Sequence, residues 1–168
     1  LLIDTIDEIV FSQHVPNPRC YNSKKTDLRV YGYVDSENNL YIQEHSGIRI
    51  CLKGPWDSFS IDSTVQLTNT SLNGSMISTK EIWPWEHIHT WNECRNQLII
   101  PLVREYWEQT HTYYPMRPQT LSFDMMISDE NMGQPKMYFI EVNANGISKP
   151  SGYLHKLKLA TCRDIVSI

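Results

Sequence analysis

The sequence predicts an α+β fold, a mixed or antiparallel sheet with flanking helices. Three observations point there: two pairs of period-two apolar runs broken by turn residues, one long run with three- and four-residue apolar spacing, and a chain order of strands, loop, helix, hairpin, helix. At 168 residues the chain has the length of one domain, and 40% hydrophobic residues with five Trp and nine Tyr supply a core.

Residues 9–15, Ile-Val-Phe-Ser-Gln-His-Val, read as a short strand stopped by Pro16 and Pro18. Residues 27–34 alternate cleanly, the cluster Asp35-Ser36-Glu37-Asn38-Asn39 marks a turn, and residues 40–43 return, which makes a hairpin with Asp27, Arg29, Tyr31 and Tyr33 on one face. Residues 48–52 add a third strand after Ser46-Gly47, and residues 54–78 are loop-rich. From Trp85 to about Gln109 the pattern is helical, with Trp91, Cys94, Leu98, Leu102 and Tyr106 on one stripe. Pro101 predicts a bend there or two helices in series. The Trp83-Pro84-Trp85 and Trp91 group reads as core or partner surface. Leu154, Leu157, Ala160 or Cys162, and Ile165 predict a closing amphipathic helix.

The second hairpin carries the chemistry. Residues 120–127 and 137–143 alternate with period two around a loop holding Asp129, Asn131 and Gly133, so antiparallel pairing about residue 132 sets Asp124 opposite Glu141. Asn143 shares the Glu141 face, and Met137 and Phe139 are expected beside it. Facing carboxylates repel, and apolar neighbours make them costly to bury unpaired. A cation relieves both problems. Two carboxylates and an amide oxygen are the hard ligands magnesium takes when it also holds phosphates; the bland alternative is an exposed acidic face.

Charge and cysteine usage narrow the class. The formal charge of −4 argues against nucleic acid as the main partner, although six basic residues against four acidic ones between Arg19 and Lys53 favour an acidic ligand. No apolar stretch approaches the ~20 residues of a membrane span, so no membrane partner is expected. The four cysteines are scattered without a C-x-x-C pair, which fits reduced cytoplasmic thiols. Asn69-Thr70-Ser71 and Asn73-Gly74-Ser75 match the glycosylation sequon, which would imply secretion, but such triplets arise often by chance in polar loops.

Lys25-Thr26-Asp27-Leu28-Arg29-Val30-Tyr31, Gln66-Leu67-Thr68-Asn69, Phe123-Asp124 and Phe139-Ile140-Glu141-Val142-Asn143 occur in this order. The chain from about residue 11 to 165 thereby resembles the tubulin–tyrosine ligase family of ATP-grasp enzymes. The resemblance implies the C-terminal half of a ligase that uses ATP and Mg2+ to join a free amino acid to an acidic protein tail, usually tubulin, through an acyl phosphate. It implies a single domain over residues 1–168, cut short on its N-terminal side, with activity in the full-length protein and little in this segment. A cytoplasmic, cytoskeleton-associated location follows.

Roles carried over by the resemblance fall on named positions. Asp124, Glu141 and Asn143 would hold the metal. Lys25, Asp27, Thr68 and Asn69 would contact nucleotide, with Gln13, His14 and Val15 at the adenine hinge. Arg29, on the same strand face as Asp27, would hold a carboxylate or phosphate bidentately and stabilise the acyl-phosphate charge, and Arg49 takes the place of the family arginine that binds the incoming amino acid or the acceptor's acidic tail. Each has an ordinary alternative: a hairpin-edge charge for Lys25, an ion pair with Asp27 or a partner strand for Arg29, a surface arginine for Arg49, turn chemistry for Thr68 and Asn69, and a strand end at the hinge. Gln66 departs from the family's usual His, and Asn145-Gly146 stands where Pro or Ser is commoner. Two rival functions stay open: a non-catalytic ligase-like module that binds acidic tails, and an ATP-grasp ligase with a non-tubulin substrate.

Overall fold

The computed structural model describes residues 15–68, 75–113, 119–131 and 134–144. Seven strands are present among them: β1 (Cys20–Tyr21), β2 (Lys24–Val34), β3 (Leu40–Ile42), β4 (Gly47–Ile50), β5 (Ser75–Ser78), β6 (Gln119–Asn131) and β7 (Gln134–Ala144). They form one antiparallel sheet in the order β5-β4-β2-β6-β7, with β1 and β3 paired to opposite ends of β2. The α+β expectation holds. The predicted strand at residues 9–15 and the closing helix fall outside the described residues, apart from Val15, which is buried and irregular.

Turn chemistry explains the entry into β2. Asn22 and Ser23 take positive φ of 51° and 60°, the two-residue hairpin turn that matches strand twist. The predicted turn after β2 closes through the Asp35 carboxylate, which accepts from the backbone N–H of Glu37 and Asn39 at 2.9 Å. β4 is one step earlier than predicted, running from Gly47 to Ile50. A Cβ at Gly47 would meet the Met76 sulfur on β5, so a larger residue there would require the Met76 side chain to move. The loop-rich stretch between β4 and β5 also contains a one-turn helix α1 (Ser63–Gln66), capped by the Asp62 carboxylate on the Thr64 N–H.

The predicted helix is shorter and subtler than its pattern. It begins as α2 (Trp91–Cys94) with a capping box between Thr90 and Glu93, passes through a π-turn at Arg95–Ile99, and continues as α3 (Ile100–Thr110). Trp85 lies in the preceding turns. Pro101 has no N–H and its ring crowds the carbonyl four residues back, and the chain absorbs this by widening one turn. That extra residue advances the buried stripe by one: Ile99, Val103 and Trp107 are buried, while Leu98 and Tyr106 are only half-covered and pack beside them.

These helices cover one face of the sheet. Leu28, Val30 and Val34 of β2, Ile48 and Ile50 of β4, and Leu121, Phe123, Met125 and Ile127 of β6 meet Trp83, Trp85, Trp91 and the α3 stripe there. The indoles are fully used. Each of four donates its N–H to a loop or strand-end carbonyl: Trp83 to His89, Trp85 to Cys20, Trp91 to Glu44 and Trp107 to Asn38, at 2.6–3.2 Å. The tryptophan group is therefore core. Cys20, Cys51 and Cys94 are unbridged, and burial pushes the Cys51 thiol up to about 11 and Cys94 up to about 12. Among the described residues no helix is long and apolar enough to cross a membrane.

Candidate functional site

The uncovered face of the sheet carries the charges, because every second residue of β2, β4 and β6 points that way. Arg29 pairs across the ladder with Asp124, and Asp27 with Arg49. The side chains then lock. Arg29 grips Asp124 with a fork, Nε to Oδ1 and Nη2 to Oδ2, both at 2.7 Å. Arg49 does the same to Asp27 at 2.6 Å and 2.6 Å, and its Nη2 reaches Asp124 Oδ2 at 3.0 Å. Thr68 donates its hydroxyl to Asp27 Oδ2. The result is one chain of alternating charge, Thr68–Asp27–Arg49–Asp124–Arg29, lying across three strands.

The hairpin prediction is met at its centre. Asp124 stands opposite Glu141, and Asn143 donates to Glu141 Oε1 at 3.0 Å. One detail is corrected. A bulge between the Asp124 and Met125 registers leaves Ile140 as the extra residue of β7, half exposed, and this switches the face of everything before it. Phe139 and Met137 therefore pack against the helix-covered core, where Phe139 stacks on Tyr106 at 4.6 Å, while Phe139 also borders the cavity beside the acids. The guanidiniums of Arg29 and Arg49 stand beside Asp124. Burial favours the neutral acid, but the hydrogen bonds from Arg29 and the charges of Arg49 and Arg29 hold the Asp124 carboxyl below its ordinary range.

A cavity of about 640 Å³ opens on this face, within the size range of small-molecule sites. Lys25, Asp27, Arg49, Thr68, Asp124 and Glu141 form its polar wall; Val15, Leu67, Met126, Tyr138 and Ile140 contribute apolar surface. Burial lowers the pKa of the Lys25 amine. Most positions singled out from the sequence thus share one cavity. Arg29 and Asn143 stand just outside its lining and reach it through Asp124 and Glu141. Gln13, His14 and Asn69 lie outside the described residues.

Several cavity residues had no signal in the sequence. Ile140 is presented by a bulge that alternation cannot foretell, and Met126 looked like ordinary core. Gln66 also lines the cavity, but its amide nitrogen donates to the carbonyls of Asp57 at 2.6 Å and Ser60 at 3.1 Å, so it ties down the preceding loop.

A sequence model of the Tubulin-tyrosine ligase family matches residues 2–151. The chain belongs to that family. No curated protein matches the chain by sequence. Family membership brings an ATP-grasp-like fold, in agreement with the antiparallel sheet and its helix layer, and ATP-dependent ligase activity as the family's general chemistry. The four motifs read from the sequence all lie inside the matched stretch.

Whether the residues suit a metal can be judged from their chemistry. Among the described residues no three His, Cys, Asp or Glu side chains converge into a self-sufficient cage. Glu141 is exposed and has one oxygen engaged by Asn143, while Asp124 has both oxygens engaged by guanidinium. Each carboxylate oxygen has two lone pairs, so hard oxygen donors are left on both acids. Two acids and an amide fit magnesium as a partial shell, the kind completed by substrate phosphates.

Proposed function

We propose that this chain forms the nucleotide- and metal-binding part of a MgATP-dependent carboxylate–amine ligase that adds an amino acid to an acidic protein tail, with tubulin as the acceptor. The observation that carries the reading is the Arg29 fork on Asp124, which stands opposite Glu141, linked through Arg49 to Asp27 at the wall of a cavity of about 640 Å³. Family membership supports the reaction class. The acceptor, the amino acid and a cytoplasmic, cytoskeletal location are this reading's own extension.

The chemistry asks for charge control. A carboxylate is a poor electrophile, and phosphorylating it creates a leaving group that an amine displaces. Magnesium, when bound, would neutralise phosphate charge and orient the phosphoryl group, held by Asp124, Glu141 and Asn143. Lys25 and Thr68 border the cavity where phosphates and sugar would lie. Arg49 touches both Asp27 and Asp124, so it holds the nucleotide side and the acid side in register. Arg29 offers the carboxylate-binding fork. A carboxylate substrate must compete with Asp124 for that fork, and any cation drawn to Asp124 loosens its hold. Binding of acidic tails without catalysis through Arg29 and Arg49 has less support, because the family's general chemistry is ATP-dependent ligation.

The test is MgATP affinity of the protein against its Asp124→Asn and Glu141→Gln variants, read by calorimetry. Both variants should bind MgATP at least about tenfold more weakly, the scale of one lost charged interaction. Equal affinity in all three removes the metal assignment.

A further inference from the structure

One row of the sheet beyond the ion network, Tyr31 of β2 and Ser122 of β6 sit directly opposite each other. They are two residues from Arg29 and Asp124 on the same strands, so they share the charged face. Both residues are 1% exposed. Among the described residues neither the Tyr31 hydroxyl nor the Ser122 hydroxyl has a hydrogen-bond partner. A buried hydroxyl without a partner destabilises the folded chain, and two such groups on residues that face each other across the ladder, one row from an arginine fork, ask for an explanation.

Resting on the ligase reading above, we infer that Tyr31 and Ser122 form the carboxylate-binding floor of the substrate side, donating their hydroxyls to the oxygens of an acidic side chain or tail held by Arg29. Three facts favour an anion as the occupant. Both groups are neutral donors. Burial raises the Tyr31 pKa, and although Arg29 and Arg49 pull it back, the phenol stays protonated at neutral pH and keeps a proton to donate. The neighbouring fork of Arg29 matches a carboxylate in shape, and it has one in hand already, that of Asp124. Finally, the nucleotide-sized cavity lies on the other side of Asp124 and Arg49, and its lining includes neither hydroxyl. The ion network therefore stands between that cavity and the two buried hydroxyls. Because both hydroxyl oxygens are closed to solvent, entry of the carboxylate requires the Arg29 fork to exchange Asp124 for it.

The orphan state of these hydroxyls supplies the discriminating experiment. Tyr31→Phe and Ser122→Ala remove a group that satisfies nothing in the ligand-free protein, so the melting temperature of the ligand-free variants should equal or exceed that of the parent. Affinity for a hexaglutamate peptide, titrated by calorimetry with Mg2+ and a non-hydrolysable ATP analogue present, should fall by about tenfold in each variant, as for one lost hydrogen bond to a charged group. Affinity for the Mg2+–analogue itself should not change. Unaltered peptide affinity, or a lower melting temperature without ligand, overturns the assignment and leaves the ligase reading standing. Failure of the parent to bind the Mg2+–analogue counts against the ligase reading instead.

Discussion

The two faces of β6 are equally buried and are held by opposite means. On one face Leu121, Phe123, Met125 and Ile127 are 0–3% exposed and pack against tryptophans and α3; on the other Asp124 and Ser128 are 0–1% exposed and are held by ion pairs and a hydroxyl-to-carbonyl hydrogen bond. Apolar packing is self-sufficient, since every added contact stabilises. The charged face is conditional: Asp124 is tolerable because two guanidiniums reach it, and each guanidinium is tolerable because an aspartate answers it. The lesson is that burial by itself does not mark a core. What satisfies the buried groups separates scaffold from site.

The largest effects should come from cutting each face at its centre. Phe123→Ala leaves a cavity under Tyr106 and Phe139 and is expected to cost about 3–5 kcal/mol. Asp124→Ala strands Arg29 and Arg49 and should also cost about 3–5 kcal/mol. Chemical denaturation measures both. The faces part company in the repair: Arg29→Met together with Asp124→Leu should recover most of the loss from Asp124→Ala, because a buried ion pair replaced by apolar groups is often neutral. No recovery would mean that the charged face is structural in its own right.

Acid should reveal the same asymmetry. The folded-state pKa of Asp124 is depressed, so its stabilisation is fully present above the unfolded value near ~3.9 and is lost as pH falls through the lower folded value. Stability followed from pH 6 downward should therefore drop below about pH 4, and the Asp124→Asn variant should show a shallower drop. Phe123→Ala should leave the acid slope of the parent. A parallel slope in Asp124→Asn would show that the depressed pKa is not felt in folding.

Smaller changes sharpen the boundary of the network. Thr68→Ala removes one hydroxyl from Asp27, leaves the Arg49 fork intact, and should cost about 1–2 kcal/mol by denaturation. Glu141→Gln should produce the least change in melting temperature, because the side chain is exposed and an amide still accepts from Asn143. A marked loss of stability there would move Glu141 from the site into the scaffold.

Much of this architecture was legible in the residues. Period-two alternation on both arms of the β6–β7 hairpin sets Asp124 against Glu141, and the same alternation in β2 lines up Asp27, Arg29 and Tyr31. The bulge at Ile140 was not legible, since adding one residue to one strand leaves composition and turns unchanged while reversing the face of Met137 and Phe139. The helix stripe held at Trp91 and Cys94 and shifted beyond them: Pro101 announced a disturbance, but the π-turn at Arg95–Ile99 decided that Ile99 and Val103 would be the fully buried positions, with Leu98 and Tyr106 packed beside them. The Arg29 alternative of an ion pair on a partner strand was the one realised, with Asp124 as partner.

Local patterning, then, determined which side chains share a face, because strand geometry imposes that within a few residues. Partnership was decided by the tertiary structure alone. Arg29 meets an aspartate 95 positions away and Arg49 one 22 positions away only because β2 lies between β4 and β6. A charge is satisfied by what folding brings within about 3 Å, and no period in the sequence carries that distance.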